Sequence, residues 1–154
     1  MLRSLARYRD LALLLARLLF GLTFIFAHGG PKVMSPDTQV RVGQAMEMFG
    51  ITFGHRVWGL MAGMTETTVG VLFIIGFAVR PAAIGALGIM FVAVPYLMST
   101  TGRVFGATPA IDATAGYIAL LAFGAGRYSL DYMLGFDRPD ESTAAKVTRA
   151  RASA

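Results

Sequence analysis

The sequence of 154 residues contains no cysteine. That excludes a structural disulfide, thiol–disulfide exchange within the chain, a cysteine-ligated iron–sulfur cluster and covalent c-type haem attachment. Electron chemistry here would need a bound cofactor or a partner. Charge is scarce too: 15% of residues are charged and 55% hydrophobic, with a mean hydropathy of +0.60. That balance is too apolar for an ordinary soluble domain of this length. The sequence also lacks a phosphate-binding glycine loop, a zinc-ligand spacing and a nucleophile elbow. With no self-contained catalytic motif, the chain's status as an enzyme is left open. A net charge of +5 does not point to nucleic acid, because the basic residues flank apolar runs and form no patch with interleaved aromatics. They read as topology signals.

What is present is a set of apolar runs, the pattern of a polytopic membrane protein. The central one lies between Arg56 and Arg80, where 23 residues include a single charge, Glu66. At about 1.5 Å per residue that stretch measures about 34 Å, enough to cross a hydrocarbon core of roughly 30 Å. Glu66 falls near its middle, where a lone carboxylate is costly. Gly59, Gly63 and Gly70 share its face at offsets of −7, −3 and +4, a small-residue stripe suited to close helix contact. Two readings of Glu66 stand side by side: a group that handles protons or orients a ligand, or a structural acid kept neutral or paired with an arginine of a neighbouring helix.

The rest of the chain supplies three more spans. Arg3, Arg7 and Arg9 precede an apolar run that imitates a signal peptide, but Arg17 interrupts it and no small-x-small site follows before His28, so cleavage is not expected. The first helix is expected over about 11–28, ended by Gly29-Gly30-Pro31, with Arg17, Gly21, Phe24 and His28 on one face. Between it and the second span (about 56–79), Ser35-Pro36-Asp37 resembles a helix start. Val42, Ala45, Met46 and Phe49 then fall on one side of a short helix, either lying in the membrane interface or capping the bundle. Arg80-Pro81 reads as a tight turn, followed by spans at about 82–99, kinked at Pro95, and about 109–126, with Asp112 in its first turn. The predicted fold is an all-α, four-helix up-down membrane bundle over residues 1–135, with a short interfacial helix between the first two spans. Residues 136–154 read as a polar, disordered tail.

Counting lysine and arginine, nine fall on the side of the termini and four on the other, with Arg17 left out as intramembrane. Both termini are therefore expected in the cytoplasm. That topology sets an outer group of His28, Lys32, His55 and Asp112, with Glu66 deeper and Arg17 deeper still. In one reading these groups line an outward cavity that could hold a quinone ring or carry protons to it. In the other, Arg17 pairs with Glu66, Asp112 is a helix-start acid and the histidines lie at the interface. His28 and His55 raise haem as a ligand, but they fall near the surface and away from helix centres, so haem is not expected; no metal site is expected either. Gly126-Arg127-Tyr128-Ser129-Leu130-Asp131 reads as a helix-end anchor, with Tyr128 at the interface and Arg127 at a helix C-terminus.

Three of these motifs together resemble the DoxX family of small bacterial membrane proteins. They are Arg17-Leu-Leu-Phe-Gly21 through His28-Gly29-Gly30-Pro31-Lys32; Glu66, Gly70, Leu72, Gly76, Arg80 and Ala82-Ala83; and the Gly126–Asp131 ending, in order from about Leu11 to Asp131. The resemblance implies a multi-pass protein of the bacterial cytoplasmic membrane. It also implies a link to quinone-coupled oxidation, as for a membrane subunit of thiosulfate:quinone oxidoreductase, with the catalytic chemistry on soluble or membrane partners. The expected role is thus an accessory or quinone-interacting subunit of an oxidoreductase system. The alternative is a non-enzymatic scaffold or small carrier, and the glycine-rich faces would also serve a homo-oligomer.

Overall fold

The computed structural model describes residues 8–137. Its architecture follows from the runs above: four helices are long and apolar enough to cross a membrane, Arg9–Met34, His55–Ile75, Val79–Thr101 and Val104–Phe123. No strand occurs among the described residues. The spans alternate in direction as an all-α up-down bundle. Both described chain ends meet at one end, where the Arg127 N–H donates to Asp10 Oδ1 at 3.2 Å. This is called the terminal end here; the opposite one, carrying residues 35–54, is the loop end.

The first span does not stop at Gly29-Gly30-Pro31. An α-helix, Arg9–Leu22, passes into a π-helix, Thr23–Gly29, and returns to α-helix over Gly30–Met34. The Gly30 N–H donates to the Ile25 carbonyl, five residues back. Proline normally breaks a helix because its ring strikes the carbonyl four residues earlier. The wider π turn moves that carbonyl aside, and Pro31 is accommodated. The same turn rotates the core face. Leu13, Arg17, Gly21 and Phe24 are buried, and the next buried position is Gly29. His28, expected to continue the face, is exposed.

The first and second spans touch backbone to backbone. A Cβ on Gly21 would lie 2.7 Å from the Gly70 carbonyl oxygen, and one on Gly29 would lie 2.9 Å from that of Gly63. In lipid, where apolar burial drives nothing between helices, such small-residue contacts supply the packing. The connecting segment folds back as a helix, Pro36–Gly43, capped by Ser35, whose hydroxyl accepts from the Thr38 N–H, and a 3₁₀ turn, Gln44–Phe49. This helix lies against the loop-end third of the second span: a Cβ on Gly59 would overlap the Gln39 carbonyl, and one on Gly43 that of His55. Its buried residues are Gln39 and Gly43, with Ala45 following. Of the expected face, Phe49 is exposed and stacks on Phe91 at 6.0 Å.

The turn between the second and third spans is not at Arg80-Pro81. The second helix closes at Ile75 on left-handed Gly76, φ 70°. The third begins at Val79 after Ala78, a left-handed non-glycine residue with φ 49°. Pro81 therefore sits in the first turn of the third helix, where its missing N–H costs nothing. Asp131 holds this turn: Oδ1 accepts from the Ala78 N–H at 2.7 Å and Oδ2 from the Val79 N–H at 2.9 Å. The third helix runs through Pro95 to Thr101. The fourth helix proper is Thr108–Phe123, so Asp112 falls beyond its first turn.

The ordered chain also continues past residue 135. Asp137 Oδ2 accepts from the Ala125 N–H at 2.7 Å, and Oδ1 pairs with Arg80 at 3.3 Å. Of the tail expected over 136–154, Phe136 and Asp137 are described, and residues 138–154, like the basic lead 1–7, lie outside the described residues.

Candidate functional site

The partner of Glu66 is Lys32. Lys32 Nζ lies 2.5 Å from Glu66 Oε1, with side chains 17% and 3% exposed. The reason is positional. Because the first helix continues to Met34 and the connecting helix covers the loop-end third of the second span, Lys32 comes down beside Gly63; a Cβ there would stand 2.8 Å from the Lys32 Cβ. The glycine stripe clears the way for the lysine stem, and the ammonium reaches the middle of His55–Ile75. The pair is neutral as a unit, which removes most of the cost of a lone charge at that depth. It is incompletely satisfied: Glu66 Oε2 is buried without a hydrogen-bond partner among the described residues.

Beside the pair stands an aromatic stack that sequence reading missed. Tyr117 of the fourth span stacks on Phe24 at 5.4 Å and Phe73 at 6.1 Å, and tilts against Phe20 at 4.9 Å. All but Phe20 are buried. Tyr117 lies within electrostatic reach of Glu66. The available signal was a tyrosine inside an apolar run, since a buried phenol needs a polar neighbour. The π-helix, a feature frequent at functional sites, also borders this region, contributing Phe24.

Arg17 does not pair with Glu66. It is fully buried near the terminal end, where Nη2 donates to the Tyr128 carbonyl at 2.5 Å and the carboxylates acting on it are Asp131 and Asp137. Arginine on the first helix runs toward the terminal end, and the Gly126–Asp131 turn comes to meet it there. Arg17 Nε and Nη1 have no hydrogen-bond partner among the described residues. Arg127 lies over the Tyr132 ring at 5.9 Å, the Tyr128 side chain is exposed, and Asp131 is the cap described above.

The remaining expected residues are not gathered at Glu66. His28 is exposed, its ring 6.2 Å from Phe24. His55 starts the second helix, with Nε2 3.1 Å from Glu47 Oε1 but without hydrogen-bond geometry. Asp112 is exposed on the fourth helix. Gln39, not anticipated, is buried and ties the loop end together: its amide donates to the Val33 carbonyl at 3.0 Å, and its oxygen accepts from Arg56 Nε at 3.3 Å. No cluster of three or more potential metal ligands occurs among the described residues.

Four apolar spans with a buried ion pair at mid-depth define a multi-pass helical membrane protein in contact with the lipid bilayer. The DoxX family model matches residues 12–100. The chain belongs to the DoxX family. The matched region contains Arg17, Lys32 and Glu66, and the fourth helix and the Gly126–Asp131 turn lie beyond it. No curated protein and no solved structure matches the chain.

Proposed function

We propose that the chain is a quinone-interacting accessory subunit of a membrane-associated oxidoreductase system, with the Lys32–Glu66 pair as its ligand-binding element. The observation that carries this reading is the pair itself: a buried carboxylate with one oxygen unspent, next to a stack of aromatic rings. A quinone head group is a flat ring with polar oxygens on opposite edges. It needs an apolar ring surface and a few polar contacts inside the bilayer, and the residues present fit that demand. Phe24, Phe73 and Tyr117, stacked on one another, make the apolar aromatic wall beside the pair. Lys32 Nζ carries three N–H donors and spends one on Glu66.

When bound, a quinone supplies two-electron chemistry coupled to protons. The chain's own part is to hold the ring in the apolar wall, to donate from Lys32 Nζ to a ring oxygen, and to exchange a proton at Glu66 Oε2. Electrons come from a partner protein, consistent with the absence of cysteine. Counted along the sequence, the segments on the side of the termini carry more lysine and arginine than the other connections, which favours seating in a bacterial cytoplasmic membrane with both termini in the cytoplasm. In that orientation Arg127, Tyr128 and Asp131 anchor the cytoplasmic end.

The test is to purify the protein in mild detergent and quantify co-purifying quinones by mass spectrometry, for wild type and Glu66→Gln. The expected result is near-stoichiometric quinone in the wild type, reduced several-fold in the variant at unchanged helical content. No quinone in wild type, even after incubation with native lipid extract, would overturn the reading and favour the scaffold.

A further inference from the structure

The unspent oxygen of Glu66 has a chemical preference. Oε1 receives the Lys32 ammonium, and Oε2 is buried with no partner among the described residues. An ionised carboxylate oxygen only accepts hydrogen bonds, and leaving a buried acceptor unmet is unfavourable. A buried acceptor of this kind calls for a donor. The Tyr117 phenol, within electrostatic reach of Glu66, is buried; it can donate or accept.

The two redox forms of a quinone differ in this property. Oxidised ring oxygens are acceptors only. Reduced ring oxygens carry O–H groups and donate. Resting on the quinone reading above, we propose that this site recognises the reduced, hydroxyl-bearing ring in preference to the oxidised one, with Glu66 Oε2 accepting the ring hydroxyl and Tyr117 as a further polar contact. A quinone carbonyl against Oε2 sets acceptor against acceptor. A quinol hydroxyl there forms a charge-assisted O–H···O⁻ bond, among the stronger hydrogen bonds available in a protein. The same preference extends to other ring hydroxyls of similar shape. Tighter binding of the reduced form also stabilises the reduced state of the bound couple, so the site suits the step at which quinol is held before exchange with the membrane pool.

The experiment is anaerobic calorimetric titration of the full-length protein in detergent with three probes: decylubiquinone, its quinol, and the dimethyl ether of that quinol, which keeps the ring and removes both donors. The quinol is expected to bind about tenfold or more tightly than the quinone, the range of one hydrogen bond to a charged group. The dimethyl ether should lose that advantage, and Tyr117→Phe should weaken quinol binding several-fold. The ether comparison needs no substitution, so it stands even if a variant fails to fold. Equal affinity for quinone and quinol, or tighter binding of quinone, would overturn this inference and leave the quinone reading standing. Binding of none of the three would overturn both.

Discussion

Lys32 Nζ stands 2.5 Å from Glu66 Oε1, joining the loop-end part of the first span to the middle of the second. Removing one member of a buried pair strands the other charge, at a cost of about 3–5 kcal/mol. Glu66→Leu alone should therefore destabilise strongly, and Lys32→Met added to it should restore most of the loss. In a double-mutant cycle by reversible SDS unfolding the two losses should be strongly non-additive, the double variant losing far less than the sum of the single variants. The Arg17–Glu66 cycle should give a coupling near zero, because Arg17 engages the Tyr128 carbonyl. A strong Arg17–Glu66 coupling would contradict this arrangement.

Ala78 is held left-handed at φ 49°, and its N–H and that of Val79 are forked by one carboxylate, Asp131. For a residue with a Cβ that conformation costs about 1–2 kcal/mol. Ala78→Gly is expected to stabilise by about 1 kcal/mol, read as a raised unfolding temperature in detergent. Asp131→Ala should destabilise by about 1–2 kcal/mol, the range for loss of a helix cap. A lowered unfolding temperature for Ala78→Gly would show that the left-handed residue is not a source of strain.

Two glycines should respond in opposite ways to alanine. Gly59 meets the Gln39 carbonyl, whereas a Cβ on Gly88 would have nothing within 4 Å. Gly59→Ala should cost about 1–3 kcal/mol by overpacking and loosen the Pro36–Gly43 helix, seen as faster amide exchange there. Gly88→Ala should be neutral or stabilising by up to about 1 kcal/mol through helix propensity. Equal effects at the two positions would contradict the packing described.

The spans were legible because a bilayer imposes length and apolarity on every helix that crosses it. The buried face of the second helix was legible for a related reason: Gly59, Gly63, Glu66 and Gly70 recur at helical spacing, and all are buried. What was not legible came from backbone choices that leave weak local signals. The π turn at Thr23–Gly29 adds a residue to one turn, so periodicity counted at 3.6 put His28 on the wrong face. It also carried the helix past Pro31 and brought Lys32 to Glu66. Arg80 and Pro81, as the charge that closes the apolar run and the proline after it, drew the second turn to themselves, and Gly76, a sound C-terminal glycine signal, was passed over. Asp131 as a cap for residues 78 and 79 depends on chain 52 or more residues away, which no local pattern encodes.

The terminal end makes a separate prediction. Arg17 is buried and donates to the backbone of the Gly126–Asp131 turn, and lysine, with a compact and more strongly hydrated head, is a poor replacement at a buried site. Arg17→Lys should weaken the turn, read as increased exchange of the Ala78 and Val79 amides, with the proposed quinone binding unchanged. Loss of quinone binding in that variant, with the fold intact, would mean that the terminal end takes part in the site.

The most direct test of the central claim is photolabelling with an azidoquinone in native membranes, followed by peptide mapping. The account predicts label on the first span between Phe24 and Lys32, on the second between Gly59 and Phe73, and at Tyr117, all displaced by unlabelled quinol. Label confined to the terminal end, around Tyr8, Arg80 or Arg127, or labelling that quinol does not displace, would contradict it.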